Sequence, residues 1–360
     1  MLSREMNLLF IIWFIISLKS SKCDQIVPAL FIFGDSAVDV GNNNYLPLTI
    51  ARADLPYNGI DFPTKQPTGR FSNGKNAADF FAEKLGLPTS PPYLSLLHKR
   101  KQSILTGVNF ASGASGILND TGESLGTLIP LTKQLDYYGR VHRDLVKKLG
   151  NYGAKEHLSK SLFVIVTGSN DLLRYYGSSE FRNNTTPLQY LNFMLIATLK
   201  AQIKRVHRYG GRKFLVTGVG PVGCAPSRRL KNKGEECDER VNSLSVKYNR
   251  RLKLMLRQLK SELPDFNFSY FDTYSILQNI IQKPAVYGFK EVKAACCGIG
   301  KLHAELPCIP ISSYCSNRSN YVFWDIVHPT EATARILVNT MFHGSSRYTF
   351  PINISHLISL

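Results

Sequence analysis

Ala29-Leu30-Phe31-Ile32-Phe33-Gly34-Asp35-Ser36 holds five apolar residues in succession, introduced by Pro28 and ended by Gly34. An unbroken apolar run this short reads as a strand buried on both faces. A serine just past the carboxyl end of a buried parallel strand sits where open α/β sheets bind their ligands. A turn there can hold the hydroxyl clear of the sheet, but Ser36 needs a base before it can act as a nucleophile. Gly-Asp-Ser is also ordinary turn chemistry, so the rest of the chain has to supply the partners.

Four more apolar runs follow the same plan: Val108-Asn109-Phe110-Ala111, Leu162 to Val166, Phe214-Leu215-Val216 and Phe268 to Phe271. Segments with helical spacing separate them. Asn76 to Leu85 places Ala77, Phe80, Phe81 and Leu85 on one face, and Pro130 to Leu149 is amphipathic and closed by Gly150. Further helices are expected from Pro187 to Tyr209, from Asp238 to Glu262, from Thr273 onward and from Thr330 to Phe342. Alternating strands and helices imply an α/β fold, a three-layer α/β/α sandwich around a five-stranded parallel sheet. The flavodoxin-like order 2-1-3-4-5 sets strands one and three side by side at the switch point. Ser36 and Asn170, which follow those two strands, then open into one crevice. There is no linker, repeat or low-complexity segment, so a single domain is expected over residues 24–360.

The chain has 360 residues, 44% hydrophobic, which is enough for a large core. Leu8 to Leu18 is shorter than the roughly 20 apolar residues a membrane helix needs and matches the core of a secretory signal. Ser21 and Cys23 occupy the small-residue positions of a cleavage site, so a signal peptide is expected over residues 1–23 and a secreted, extracellular product (apoplast or cell wall) after it. Of seven cysteines, the cut leaves six: Cys224, Cys237, Cys296, Cys297, Cys308 and Cys315. Their spacings are not those of a zinc site, so disulfides are expected. A local Cys224–Cys237 bridge, with the other four pinning a long loop, is the expected arrangement. Sequons at Asn119, Asn183, Asn184, Asn267, Asn317 and Asn353 suit the same compartment. The formal charge of +18 falls to +16 without the signal. A secreted cation of this kind is suited to electrostatic retention on acidic wall polysaccharide. The basic residues are scattered and no nucleic-acid-binding motif is present, so nucleic acid is not an expected partner.

A serine nucleophile requires a base, a group to orient that base, and donors for the oxyanion. Asp325 and His328 stand three residues apart ahead of Pro329 and Thr330. One turn lets the carboxylate hold imidazole Nδ1–H while Nε2 faces Ser36. Gly113, just past the second run, can bring a backbone N–H close to a ligand. The Asn170 side-chain amide and the Ser36 N–H complete the expected oxyanion hole. Gly69-Arg70-Phe71-Ser72-Asn73-Gly74-Lys75-Asn76 nearly spells a phosphate-binding loop. It has Asn76 where a hydroxyl must hold the metal, and no strand precedes Gly69.

Phe33-Gly34-Asp35-Ser36, Asn109-Phe110-Ala111-Ser112-Gly113, Gly168-Ser169-Asn170-Asp171 and Asp325-Ile326-Val327-His328-Pro329 resemble the four blocks of the GDSL (SGNH) hydrolases. Gly220-Pro221-Val222-Gly223-Cys224 and Cys296-Cys297-Gly298 resemble the plant GDSL esterase/lipases in particular. The likeness runs from about Pro28 to Phe342; the tail beyond lies outside it. It implies a serine esterase or lipase acting on acyl-ester or lipid substrates, with Ser36, His328 and Asp325 as triad, Ser36, Gly113 and Asn170 as oxyanion donors, and no cofactor. Three rival readings share these residues. One is a metal-dependent phosphoesterase using Asp35, Asp39, Asp171, Asp325 and His328. Another is a non-catalytic wall-binding protein on the same scaffold. The third is an acyltransferase using the same acyl-enzyme.

Overall fold

The computed structural model describes residues 25–98, 103–178, 181 and 187–360. The expected signal peptide over residues 1–23 and the sequons at Asn183 and Asn184 lie outside the described residues.

Four parallel strands form the centre of the sheet: β1 (Leu30–Gly34), β2 (Leu162–Val166), β3 (Lys213–Thr217) and β4 (Asn267–Phe271), adjacent in that order. Their register aligns Phe31 with Phe163, Phe163 with Phe214 and Phe214 with Phe268. Because side chains alternate along a strand, these rings share one face with Phe33, Ile165 and Val216. Leu30, Ile32, Leu162, Val164 and Leu215 fill the other. Leu135 and Tyr138 of helix Leu131–Lys160, Ile203 of Ala197–Arg208 and Leu252 of Glu239–Glu262 cover the aromatic face. Phe81 of helix Ala77–Lys84, Ile280 of Thr273–Gln282 and Val338 of Glu331–His343 cover the aliphatic one. The expected three layers are therefore present. Burying each such Leu or Phe contributes about 1.5–3 kcal/mol, so the cores on both faces hold the strand ends in place.

The fold departs from expectation at three places. The segment Val108-Asn109-Phe110-Ala111 lies parallel to β1, on the side away from β2, but forms only a bridge rather than a full strand. Ile32 N–H donates to Val108 and Phe110 N–H to Ile32, while Asn109 turns its own N–H and carbonyl to Pro91 and Tyr93. The prolines at 91 and 92 interrupt that outer pairing, since proline has no N–H to donate. The fifth strand is instead Thr349–Phe350, in the tail. It pairs antiparallel with β4, and the following helix Ile354–Ser359 buries Ile354 and Leu357. Finally, Gly150 does not end its helix region. It adopts φ 72°, ψ 169°, kinks the chain, and helix resumes to Lys160.

Among the described residues three disulfides are present: Cys224–Cys237 as expected, with Cys296–Cys315 and Cys297–Cys308 stapling the long loop before His328. Asn119 and Asn317 are exposed, Asn267 lies in β4, and Asn353 caps the last helix.

Candidate active site

Gly34 ends β1 at φ +149°, and a Cβ there would lie 2.0 Å from the Val166 carbonyl oxygen, so only glycine lets β1 run this close to β2. The chain then turns sharply. Val38 and Asp39 donate their N–H groups back to the Asp35 carbonyl, and Ala37 N–H donates to Asp35 Oδ1 at 3.0 Å. This turn lifts Ser36 off the sheet edge. Gln134, fully buried in helix Leu131–Lys160, clamps the turn from below: its Oε1 accepts from Gly34 N–H at 2.8 Å and its Nε2 donates to the Gly34 and Ile129 carbonyls, each at 2.8 Å.

On the opposite side, strand Tyr321–Phe323 leads into a turn built on Asp325. Its Oδ1 accepts from the N–H groups of Val327 and His328 at 2.9 and 2.8 Å. Its Oδ2 accepts from His328 Nδ1 at 2.7 Å. With that proton on Nδ1, Nε2 is the acceptor, and it lies 2.7 Å from Ser36 Oγ. The Phe71 ring packs 4.9 Å from the imidazole centroid, which gives the segment resembling a phosphate-binding loop a packing role. Trp324, buried beneath the turn, donates its Nε1–H to Asn58. Burial opposes charge on His328, but the Asp325 carboxylate outweighs it and lifts the imidazole above its ordinary value. Burial likewise pushes Asp325 upward, and His328 together with the two backbone donors holds it below the usual carboxylate range.

Asn170 lies in the first turn of helix Ser169–Gly177, directly after β2, and lines the same cavity as Ser36. One of its two amide hydrogens goes to the Ser115 carbonyl at 2.9 Å, leaving the other. Gly113 differs from expectation. Its N–H donates to Asp39 Oδ2 at 3.0 Å, and the residue is absent from the cavity wall. Asp39 draws this N–H away because it is buried and accepts from Gly41, Asn42 and Gly113 together. Burial still leaves its carboxyl raised to about 6.

The carboxylates of the metal reading are dispersed. Asp39 is committed as described. Asp171 accepts from Ile117, Leu118 and Thr121, so it fastens the 112–121 turn to the helix carrying Asn170. Asp35, pushed up to about 6 by burial, holds its own turn. Among the described residues, no three His, Cys, Asp or Glu side chains group as a metal site requires. The spacing of Asp39, Gln134 and Asp171 carries no helical or strand signal for these roles, because each reaches a partner 50 or more residues away.

Beside Ser36 and His328 opens a cavity of about 190 Å³ with largely apolar walls, among them Phe81, Val322, Leu337, Met341, Pro221 and Leu277. Largely apolar walls with a few polar groups at one place are the usual make-up of a small-molecule site. Among the described residues, no helix is long and apolar enough to cross a membrane.

Comparison with known proteins places the chain in a family. Residues 30–341 match the family model for GDSL-like lipase/acylhydrolase. A GDSL esterase/lipase of Arabidopsis thaliana is 50% identical over 341 residues, covering 92% of this chain and 90% of that protein. A second from the same plant is 40% identical over 353 residues, covering 95% and 94%. A third is 40% identical over 340 residues, covering 94% and 87%. The α/β fold, the cavity beside Ser36 and these likenesses together make the chain a member of the GDSL lipase/acylhydrolase family and a carboxylic ester hydrolase.

Proposed function

We propose that this esterase is a secreted, single-domain enzyme, residues 24–360 after removal of the signal, working through a Ser36–His328–Asp325 triad and an acyl-enzyme. The observation that carries the reading is the continuous hydrogen-bond chain from Ser36 Oγ to His328 Nε2 (2.7 Å) and from His328 Nδ1 to Asp325 (2.7 Å). Ser36 Oγ attacks the ester carbonyl as its proton passes to Nε2. The tetrahedral oxyanion is met by the Ser36 N–H and the second Asn170 amide hydrogen. Each such donor contributes about 3 kcal/mol to the transition state. His328 then protonates the departing alcohol, leaving the acyl group on Ser36. Water repeats the sequence: His328 takes its proton, and the acid leaves as Ser36 regains a proton. Gly113 supports this wall through Asp39 rather than through a direct bond to the oxyanion. Three disulfides are compatible with an oxidising compartment, and the basic surface with retention on acidic polysaccharide.

The test is a fluorophosphonate probe on protein recovered from the medium, followed by peptide mapping. Label on Ser36, absent from Ser36→Ala and from denatured protein and indifferent to EDTA, is the expected result. A folded protein that takes no label, or labelling abolished by EDTA, overturns the triad.

A further inference from the structure

We infer that Arg228 reads an anionic group, a carboxylate or phosphate, on the alcohol part of the ester; this rests on the esterase reading above. Arg228 lines the same cavity as Ser36 and His328. The acyl chain belongs against the apolar walls formed by Phe81, Leu337 and Met341, which leaves the alcohol to face the guanidinium.

The element that presents Arg228 is held on every side. It is the short helix Pro226–Arg229, bounded by the Cys224–Cys237 disulfide. The neighbouring Arg229 is 2% exposed and points inward, donating Nε–H to the Cys224 carbonyl and Nη1–H to the Glu235 carbonyl, both at 2.9 Å. Ser227 N–H donates to the Ile326 carbonyl at 3.1 Å, tying the helix to the turn that carries Asp325 and His328. A cation at this position therefore keeps its place relative to the reacting atoms.

Its charge is also unspent. The Arg228 guanidinium lies over the Tyr176 ring, 5.6 Å from the centroid. Among the described residues no carboxylate stands within ion-pair distance of it. Asp238, the acid at the Tyr176 hydroxyl, accepts from that hydroxyl at 2.7 Å and pairs with Arg240 at 3.6 Å. A stacked guanidinium keeps its edge donors free, and that edge matches a carboxylate or phosphate in a two-pronged hydrogen bond.

The test compares paired esters: the butyrate of 4-hydroxybenzoate against that of 4-hydroxybenzamide, and a monobutyryl glycerol phosphate against monobutyrin. The wild type is expected to favour the charged member of each pair in kcat/KM. The two pairs separate a carboxylate from a phosphate as the preferred anion. Arg228→Gln is expected to lower the charged-to-neutral ratio about tenfold or more, mostly through KM. Arg228→Glu should reverse the preference. A ratio unchanged by Arg228→Gln, or no preference in the wild type, overturns the inference. Calorimetric binding of the same pairs to Ser36→Ala isolates recognition from turnover. Arg228-dependent binding without hydrolysis by the wild type faults the catalytic reading, whereas hydrolysis without it faults this one.

Discussion

Exchanging Asp325 for Asn replaces one oxygen by an amide nitrogen and leaves the shape of the turn intact. Oδ1 can still accept from the Val327 and His328 N–H groups, which it meets at 2.9 and 2.8 Å, so the fold of the turn survives. The new NH₂ then points at His328 Nδ1, where Oδ2 now sits 2.7 Å away. Two donors cannot share that contact, so the ring turns to the tautomer with its proton on Nε2 and loses the ability to deprotonate Ser36. Restoring the working tautomer costs one charge-assisted hydrogen bond, about 1.5–3 kcal/mol. The imidazolium formed in the transition state forfeits its counter-charge at a similar cost. Together these amount to about 3–6 kcal/mol, or about 10²–10⁴-fold in kcat. The assay is kcat on a soluble acyl ester beside a thermal melt. Asp325→Ala serves as contrast, since it also strips the two backbone donors of their acceptor and should lower Tm where Asp325→Asn does not. A loss of less than about tenfold with an unchanged melt would refute the orienting role.

Two more outcomes follow from the same contacts. Because Asp325 raises the His328 pKa, the acid limb of kcat/KM should have its midpoint above the ordinary imidazole value of 6.5, with activity gained as pH rises and the ring loses its proton. The stability carried by that proton runs the other way, full below 6.5 and lost as pH rises through the raised pKa. The share from Asp325 is full above 3.8 and lost as pH falls through its lowered one. An acid limb centred below 6 contradicts the pairing. Gln134→Leu leaves the Gly34 N–H and the Ile129 carbonyl buried without their partner, while the Gly34 carbonyl keeps Ser112 and Ser115. The expected loss is about 2–6 kcal/mol, seen as a lower melting temperature together with reduced turnover, and an unchanged melt contradicts it.

The sequence by itself determined what depends on neighbours along the chain. Apolar runs marked β1 to β4 because a strand buried on both faces leaves no room for polar residues. The Asp325–His328 pair was legible because its hydrogen bond closes over three residues. Ser36 and Asn170 could be assigned to one crevice because strand ends in a parallel sheet share an edge. Tertiary structure alone decided the rest. Thr349–Phe350 becomes a strand only because β4 offers it an open edge, which two residues cannot announce by periodicity. Val108 to Ala111 falls short of one because Ser90 takes the Leu30 carbonyl and Gln134 takes the Gly34 N–H, the β1 groups on either side of the Ile32 rung. The Gly113 N–H went to Asp39, 74 residues distant, and Gln134 reached Gly34 across 100. A buried polar group must find a partner wherever the fold supplies one, and no local pattern encodes which segment arrives.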